Sequence, residues 1–258
     1  QALVETVEAD PGAVDIDAAR TGLDDPDEIV RNKTTYVFNE VVKVDPDRVK
    51  RHLEALEPRL TDSNKYTRHY AAFVFKEVVK TDPGRVARYL DAVEPCLDDV
   101  NETTRQYATF VFSEVVEVDP ERVARYLDAV EPRLRDENEY TRHYAAFVFK
   151  EVVQTDPGRV ARYLDAIEPC LDDVNEITRN YAAYSFAQAV DVAPDRVASY
   201  RDALRPLQHD QNENTKSFVK KALRLAGEPD RSEPHSPAGS TATDSDGRET
   251  EVFDPDDI

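Results

Sequence analysis

The sequence predicts an all-α protein, a right-handed α-α superhelix built from about six tandem two-helix repeats. Three observations carry this reading. The dipeptides Asp45-Pro46, Asp82-Pro83, Asp119-Pro120 and Asp156-Pro157, continued by Ala193-Pro194, recur every 37 residues without an insertion. Glu57-Pro58, Glu94-Pro95, Glu131-Pro132, Glu168-Pro169 and Arg205-Pro206 keep the same period, as do Asn64, Asn101, Asn138, Asn175 and Asn212. Within each repeat the apolar spacing is that of a helix, with no period-2 alternation.

The chain divides into a solenoid over residues 1–227, capped at about 1–44 and 193–227, and a tail over 228–258. The first repeat is short between Asp10-Pro11 and Asp25, and its first helix, AVDIDAARTGL, fits the consensus poorly, so it reads as a degenerate N-terminal cap. In a typical repeat the first helix, A, runs through DPGRVARYLDAVEPCLDD. Its stripe of Val86, Leu90, Val93 and Leu97 falls at i, i+4, i+7 and i+11. Asp82 suits the N-cap, and Pro83 suits the first helical position, where its missing N–H costs nothing. Pro95 lies inside this helix and predicts a kink near Leu90 to Ala92 in every copy. The second helix, B, starts at Asn101 as N-cap and puts Thr104, Ala108, Val111, Phe112 and Val115 on one face. Its β-branched and aromatic residues would suit a strand locally, but the 3.6-residue period outweighs that preference.

A single helix pair is too small to bury its own apolar face, so the copies must stack. Residues 67–101 return as residues 141–175 with two differences, Lys80 against Gln154 and Val93 against Ile167, which marks a recent duplication of a two-repeat block. Cys96 and Cys170 occupy one column, 74 residues apart. Two layers of helices separate them by roughly 20 Å, too far for a disulfide, so they are expected as free, half-buried thiols.

The chain carries a formal charge of −20. That argues against nucleic acid, whose phosphates need Lys and Arg to displace their counterions. Residues 1–27 hold −7 and residues 228–258 hold −8, leaving −5 on the repeats between them. The Asp and Glu excess, with 10 Lys against 23 Arg and no Trp or Met, resembles proteins of halophilic archaea, where molar salt shortens electrostatic screening to about 3 Å. The tail is rich in Pro, Ser, Thr and acid and is expected to be disordered; it serves as a solubilising segment or offers a short partner motif around Val252-Phe253. No apolar run approaches a membrane span, and a soluble, cytoplasmic protein without membrane insertion is expected.

At Leu97, Asp99, Arg105, Ala108 and Thr109 the pattern L-x-D-x(5)-R-x-x-A-[AT] resembles the HEAT repeat, whose first helix also carries a proline like Pro95. The resemblance covers about residues 10–227 and extends to haloarchaeal HEAT-repeat domain proteins; it implies a HEAT/armadillo-like solenoid. It also implies a structural ladder of charge-assisted bonds between adjacent repeats, formed by Asp25 and Arg31, Asp62 and Arg68, Asp99 and Arg105, Asp136 and Arg142, and Asp173 and Arg179. The last pair, Asp210 and Lys216, departs from the pattern because lysine lacks the planar guanidinium fork. With Lys220, Lys221 and Arg224 it reads as a polar C-terminal cap.

No segment resembles a phosphate loop, a nucleophile elbow, a paired-cysteine metal site or HExxH, and no cofactor is expected. Paired carboxylates such as Asp98-Asp99 and Asp172-Asp173 fall in short turns, not in a cleft that would shift a pKa for acid or base work. His69 and His143 read as solvated polar residues or partner contacts, too far apart to share a metal. Arg88, Arg125 and Arg162 each follow an arginine three residues earlier, and this face is expected to pair with Asp91, Asp128 and Asp165 at i+3.

One column of helix B is more informative: Tyr36, Phe73, Phe110, Phe147 and Tyr184, about 100° from the core stripe and beside Asn32, His69, Gln106, His143 and Asn180. If helix B lines the concave side, as the resemblance implies, these rings face a groove flanked by Lys76, Lys150 and the glutamates Glu40, Glu77, Glu114 and Glu151. Half-exposed aromatics are common anchors of protein interfaces. The alternative is that the rings pack between successive repeats with Tyr70, Tyr107, Tyr144 and Tyr181. The expected function is a non-enzymatic scaffold for a protein or peptide partner, its identity and the oligomeric state being open. The alternative, which the HEAT-like resemblance also allows, is a lyase or pigment- or cofactor-binding protein.

Overall fold

The computed structural model describes residues 2–227; the acidic tail and its Val252-Phe253 motif lie outside the described residues. Six long B helices repeat through the chain: α2 (Glu28–Val44), α3 (Lys65–Val79), α4 (Glu102–Val116), α5 (Glu139–Thr155), α6 (Glu176–Ala189) and α7 (Glu213–Leu225). Each packs extensively against the next, and an A segment lies between each consecutive pair. The result is an all-α solenoid with no strand among the described residues.

Asparagine starts five of the six B helices because its short amide can accept from the otherwise unpaired first-turn N–H groups. Asn101 Oδ1 takes the Thr104 N–H at 3.0 Å, and Asn64 Oδ1 takes those of Tyr66 at 2.9 Å and Thr67 at 3.4 Å. At the far end, Gly227 stands at φ 87°, a left-handed conformation that closes α7 through its N–H to the Arg224 carbonyl.

The A segments differ from the single kinked helix expected. Each is a chain of short turns: α-helical Pro83–Val86, 3₁₀ Ala87–Tyr89, α-helical Leu90–Val93, then 3₁₀ Glu94–Asp98. There are two breaks per copy, and the first, at Tyr89, directly precedes the Leu90 to Ala92 stretch where one kink was expected. Tyr89 leaves helical geometry at φ −106°, ψ 11°. Pro95 opens the second 3₁₀ turn, where its missing N–H removes no α-helical bond. The carbonyls loosened at the first break are taken up by the following repeat: Arg122 Nη1 donates to the Ala87 carbonyl at 3.0 Å and Arg196 Nη2 to that of Arg162 at 3.1 Å. The expected i+3 pairs of Arg88, Arg125 and Arg162 with Asp91, Asp128 and Asp165 are not formed: their Nε atoms donate to the carbonyls of Arg85, Arg122 and Arg159, each at 3.5 Å. Arg85 and Arg122 turn back to the N-cap carboxylates of Asp82 and Asp119, both at 3.1 Å, and Arg159 to Asp156 at 3.3 Å. Asp91 and Asp128 accept instead from the hydroxyls of Tyr126 (2.5 Å) and Tyr163 (2.6 Å) one repeat on, and Asp165 from Tyr200.

The N-terminal cap is more elaborate than a poor A segment. Helix α1 (Ala2–Ala9) packs on α2 and buries Val7 completely, covering the side of α2 that has no preceding repeat.

The core is one continuous layer. Val86, Leu90, Val93 and Leu97 of the A segment meet Thr104, Ala108, Val111, Phe112 and Val115 of the B helix, all nearly free of solvent. The largest side chain in each of the layers of α2 to α6 is a phenylalanine, Phe38, Phe75, Phe112, Phe149 or Phe186, fully buried, with Leu223 in that column of α7. Four of them meet a tyrosine edge-on, as Phe112 does Tyr126 at 5.3 Å, while Phe38 meets His52 at 5.5 Å. Cys96 and Cys170 are free and more deeply buried than expected. Their Sγ atoms donate to the Leu60 and Leu134 carbonyls at 3.3 and 3.5 Å, and burial pushes each thiol up to about 12.

Arginines bond each repeat to the next. Arg31 Nε donates to Asp62 Oδ2 at 2.7 Å, and the same bond joins Arg68 to Asp99, Arg105 to Asp136, Arg142 to Asp173 and Arg179 to Asp210 at 2.5 to 2.8 Å. The partner carboxylate thus lies 31 residues ahead. Six residues back, the arginine finds the aspartate's backbone: Arg105 Nη1 donates to the Asp99 carbonyl at 3.0 Å. The carboxylate's second oxygen meanwhile holds the turn, as Asp136 Oδ1 does with the Asn138 N–H at 3.0 Å. Among the described residues Lys216 meets no aspartate of a following repeat and pairs locally with Glu213 at 2.7 Å.

Two stability measurements follow from this packing. Phe112→Ala leaves a ring-sized cavity in the central layer and is expected to cost about 3–5 kcal/mol in chemical denaturation. Burial alone would raise the Asp62, Asp136 and Asp210 carboxyls, but the arginine bond and the backbone N–H outweigh it and hold all three below their ordinary value. Their stabilisation is present above the unfolded-state value and is lost as pH falls through the lower folded one. Helicity followed by circular dichroism is therefore expected to hold to about pH 4 and decline below it; Arg105→Ala, which leaves the buried Asp136 carboxylate with only Arg133 at 3.4 Å and the Asn138 N–H, is expected to begin that decline at higher pH.

Candidate functional site

The aromatic column named from the sequence forms a continuous row along the B helices. Tyr36, Phe73, Phe110, Phe147 and Tyr184 are each half-buried, packed on the core at one edge and open at the other. Each meets the ring of the following repeat: Tyr36 with Tyr70, Phe73 with Tyr107, Phe110 with Tyr144, Phe147 with Tyr181 and Tyr184 with Phe218, at centroid distances of 5.0 to 5.4 Å. The rings thus make the inter-repeat contact that was weighed as the alternative, with one edge left open. The row runs without interruption because residue i of one helix and i+34 on the next face each other across a constant step.

Cations lie over this row. Lys76 Nζ sits 5.2 Å from the Phe73 centroid, 5.7 Å from Tyr107 and 5.8 Å from Phe110; Lys150 repeats the arrangement over Phe147, Tyr181 and Tyr184. Both lysines pair with the next residue, Lys76 with Glu77 at 2.5 Å and Lys150 with Glu151. Lys43 adds a further cation 5.6 Å from Phe73.

The polar column beside the rings is not solvated as expected for its histidines. The His69 imidazole is half-buried between Tyr70 and Tyr107, at 5.7 and 5.4 Å, and His143 sits likewise between Tyr144 and Tyr181. The reason is the tight inter-repeat step, which brings the next tyrosine over each ring. Asn32 and Asn180 reach across instead to the hydroxyls of Thr67 and Thr215, at 3.2 and 3.0 Å. Gln106, between the two histidines, is half-buried. Nδ1 of both histidines is buried with no hydrogen-bond partner among the described residues.

The glutamate column contains a gap that single-repeat reasoning does not show. Glu40 accepts from Asn39 and Lys43, Glu77 from Lys76 and Lys80, Glu151 from Lys150 and Gln154, and Gln188 from Lys221. Among the described residues Glu114 accepts from none: Ser113 donates to its own helix, and the next turn holds Glu117. Burial, aided by Glu117 and opposed by Lys80, pushes the Glu114 carboxyl up. Among the described residues no group of three or more His, Cys, Asp or Glu is placed to hold a metal, and no helix is long and apolar enough to cross a membrane.

The sequence reading missed a second surface, at the first turn of the B helices. Ile29, Tyr66, Tyr140 and Ile177 share one column there and are all largely exposed, as are Val100 and Val174 in the preceding turns. The signal was available in the 37-residue alignment as apolar residues off the core stripe.

No protein-family model matches the chain, and no curated protein matches it. Solved structures do. Computationally designed armadillo repeat proteins for modular peptide recognition are similar at a TM-score of 0.67 and 15% identity, over 82% of this chain and 99% of theirs. A designed armadillo repeat protein matches at 0.63 and 15%, over 82% and 100%. The archaeal HEAT-like repeats protein from Thermococcus onnurineus NA1 matches at 0.58 and 15%, over 87% and 93%. At such identities the likeness is one of fold: the chain is a HEAT/armadillo-like α-solenoid.

A pH response distinguishes these histidines from the aspartate ladder. Burial lowers His69 and His143, against a weaker pull from Asp99 and Asp173; it also lowers His52, against Asp17. A depressed folded-state value means the stabilisation is full above about pH 6.5 and is lost as pH falls. Thermal melts are expected to drop between about pH 6.5 and 5, and His69→Gln with His143→Gln to flatten that drop while leaving the carboxylate-dependent decline below pH 4.

Proposed function

We propose that the protein is a non-enzymatic binding scaffold that holds an extended peptide segment of a protein partner along the aromatic face of α2 to α7. The observation that carries this is the uninterrupted row of half-open rings, from Tyr36 to Phe218, with lysines seated over it. Interlocked rings lose little freedom when a partner covers them, so burial of their open edges is not offset by ordering. Their regular step also suits an extended chain, which presents side chains at a regular interval. Glu114, lacking an internal donor, supplies a polar point where a partner's N–H or basic side chain is required. The fold supports this reading, since designed solenoids of the same architecture are described as made for modular peptide recognition.

Peptides selected from a display library on the full chain provide the test. Phe110→Ala is expected to weaken the selected peptides at least tenfold in calorimetric titration, about 1.4 kcal/mol or more. Val100→Ser, on the turn edge, is expected to leave them unchanged. Unaltered affinity in Phe110→Ala, Lys76→Ala and Glu114→Gln alike, with helicity preserved, would remove the aromatic face from consideration.

A further inference from the structure

The turns joining A segments to B helices contain a pair of columns that alternates along the stack. Asp24 lies 3.8 Å from Arg59 Nη2 of the next repeat, and Asp98 lies 2.9 Å from Arg133 Nη2. Each arginine also reaches the ladder carboxylate of its own turn, Arg59 to Asp62 at 3.3 Å and Arg133 to Asp136 at 3.4 Å. In the interfaces between these, Thr61 and Arg135 occupy the acid's column, and Cys96 and Cys170 occupy the arginine's. Acid and arginine are thus present together or absent together in four successive interfaces.

The fifth interface breaks the rule. Asp172 is present, but Leu207 stands in the arginine's column. Leu207 is buried and has no polar head group to reach Asp172. An open cavity of about 1160 Å³ lies there, lined among others by Leu171, Asp172, Val174, Leu207, His209 and Asp210. Five carboxylates border it against a single arginine, Arg179. That guanidinium is already committed, to Asp210 at 2.8 Å and to the Asp173 and Val174 carbonyls at 2.8 and 3.3 Å. Asp210, its side chain 4% exposed, therefore holds one arginine where Asp62 and Asp136 hold two.

We propose that this cavity receives an arginine side chain from a protein partner, in the position that Arg59 and Arg133 fill internally. A planar guanidinium can turn one edge to Asp172 and the other to Asp210, as Arg133 spans Asp98 and Asp136, whereas an ammonium is a point charge that cannot span two carboxylates in this way. Val174, 81% exposed at the rim, and Leu171 supply apolar cover for the stem. The five bordering carboxylates supply charge complementarity. The site lies at the turns, not on the aromatic row, so it stands or falls independently of the peptide-binding reading.

The test is an amide-resolved NMR titration of the full chain with N-acetyl-arginine amide at about 0.1 M salt, where surface charge is only partly screened. Shifts are expected to cluster in residues 168–176 and 203–211 and to saturate in the millimolar range. The citrulline analogue, of the same shape without the charge, and the lysine analogue are each expected to bind at least fivefold more weakly. Leu207→Arg restores the internal head group and is expected to abolish the shifts; Asp172→Asn, on an exposed side chain that leaves the fold intact, is expected to weaken them at least fivefold. Shifts scattered over the acidic surface, or unaltered in both variants, would overturn the assignment. So would tighter binding by a chain carrying Arg231→Ala and Arg248→Ala, which would show that the chain's own arginine is the occupant.

Discussion

The bond from each ladder arginine to the aspartate 31 residues ahead sets the geometry on which the other features depend. One guanidinium contacts the backbone carbonyl of its own turn and the carboxylate of the next, while that carboxylate's other oxygen holds the N–H that starts the next B helix. Translation, orientation and helix start are thus tied together by one planar group. Both partners are largely removed from water, the aspartates almost wholly, so the arrangement tolerates little slippage: a shifted register would leave a buried carboxylate unpaired, at a cost of several kcal/mol. The hydrophobic layer supplies most of the driving force for stacking, but apolar packing is not directional. The arginines are.

A fixed step has consequences on the surface. Residues in one column fall in line, so an aromatic at the same position in each repeat becomes a row, and the pairing of each ring with the next follows from the step alone. The column of Lys76 and Lys150 carries lysine only in alternate repeats, because both descend from the duplicated two-repeat block. Core columns therefore repeat every 37 residues, while part of the surface repeats every 74. The unpaired Glu114 and the acidic cavity beside Leu207 both arise where those two periods fall out of step.

The helices, their caps, the period, the core stripe and the Asp and Arg columns were legible in the sequence because each depends on residues close in the chain or on exact recurrence. The A segments were read less well. Pro95 marks a departure from α geometry, yet its position does not reveal that the backbone loosens first at Ala87 to Tyr89, since the support for that break comes from Arg122 of the next repeat. For the same reason the partner of Asp91 was misassigned: a local i+3 arginine was the only candidate visible, and the tyrosine hydroxyl that takes its place is 35 residues away. His69 and His143 looked solvated because nothing near them in sequence covers them; the covering rings are Tyr107 and Tyr181.

The sequence by itself determined that this chain is a stack of helix pairs, since recurrence and helical periodicity are properties of the order of residues. Tertiary structure alone decided which side chains meet between repeats, and therefore which charges are satisfied, which rings stay half open and where a head group is missing. The physical reason is that those contacts join residues 31 to 36 positions apart across a step whose size and rotation result from packing two whole repeats, a quantity that no local pattern encodes.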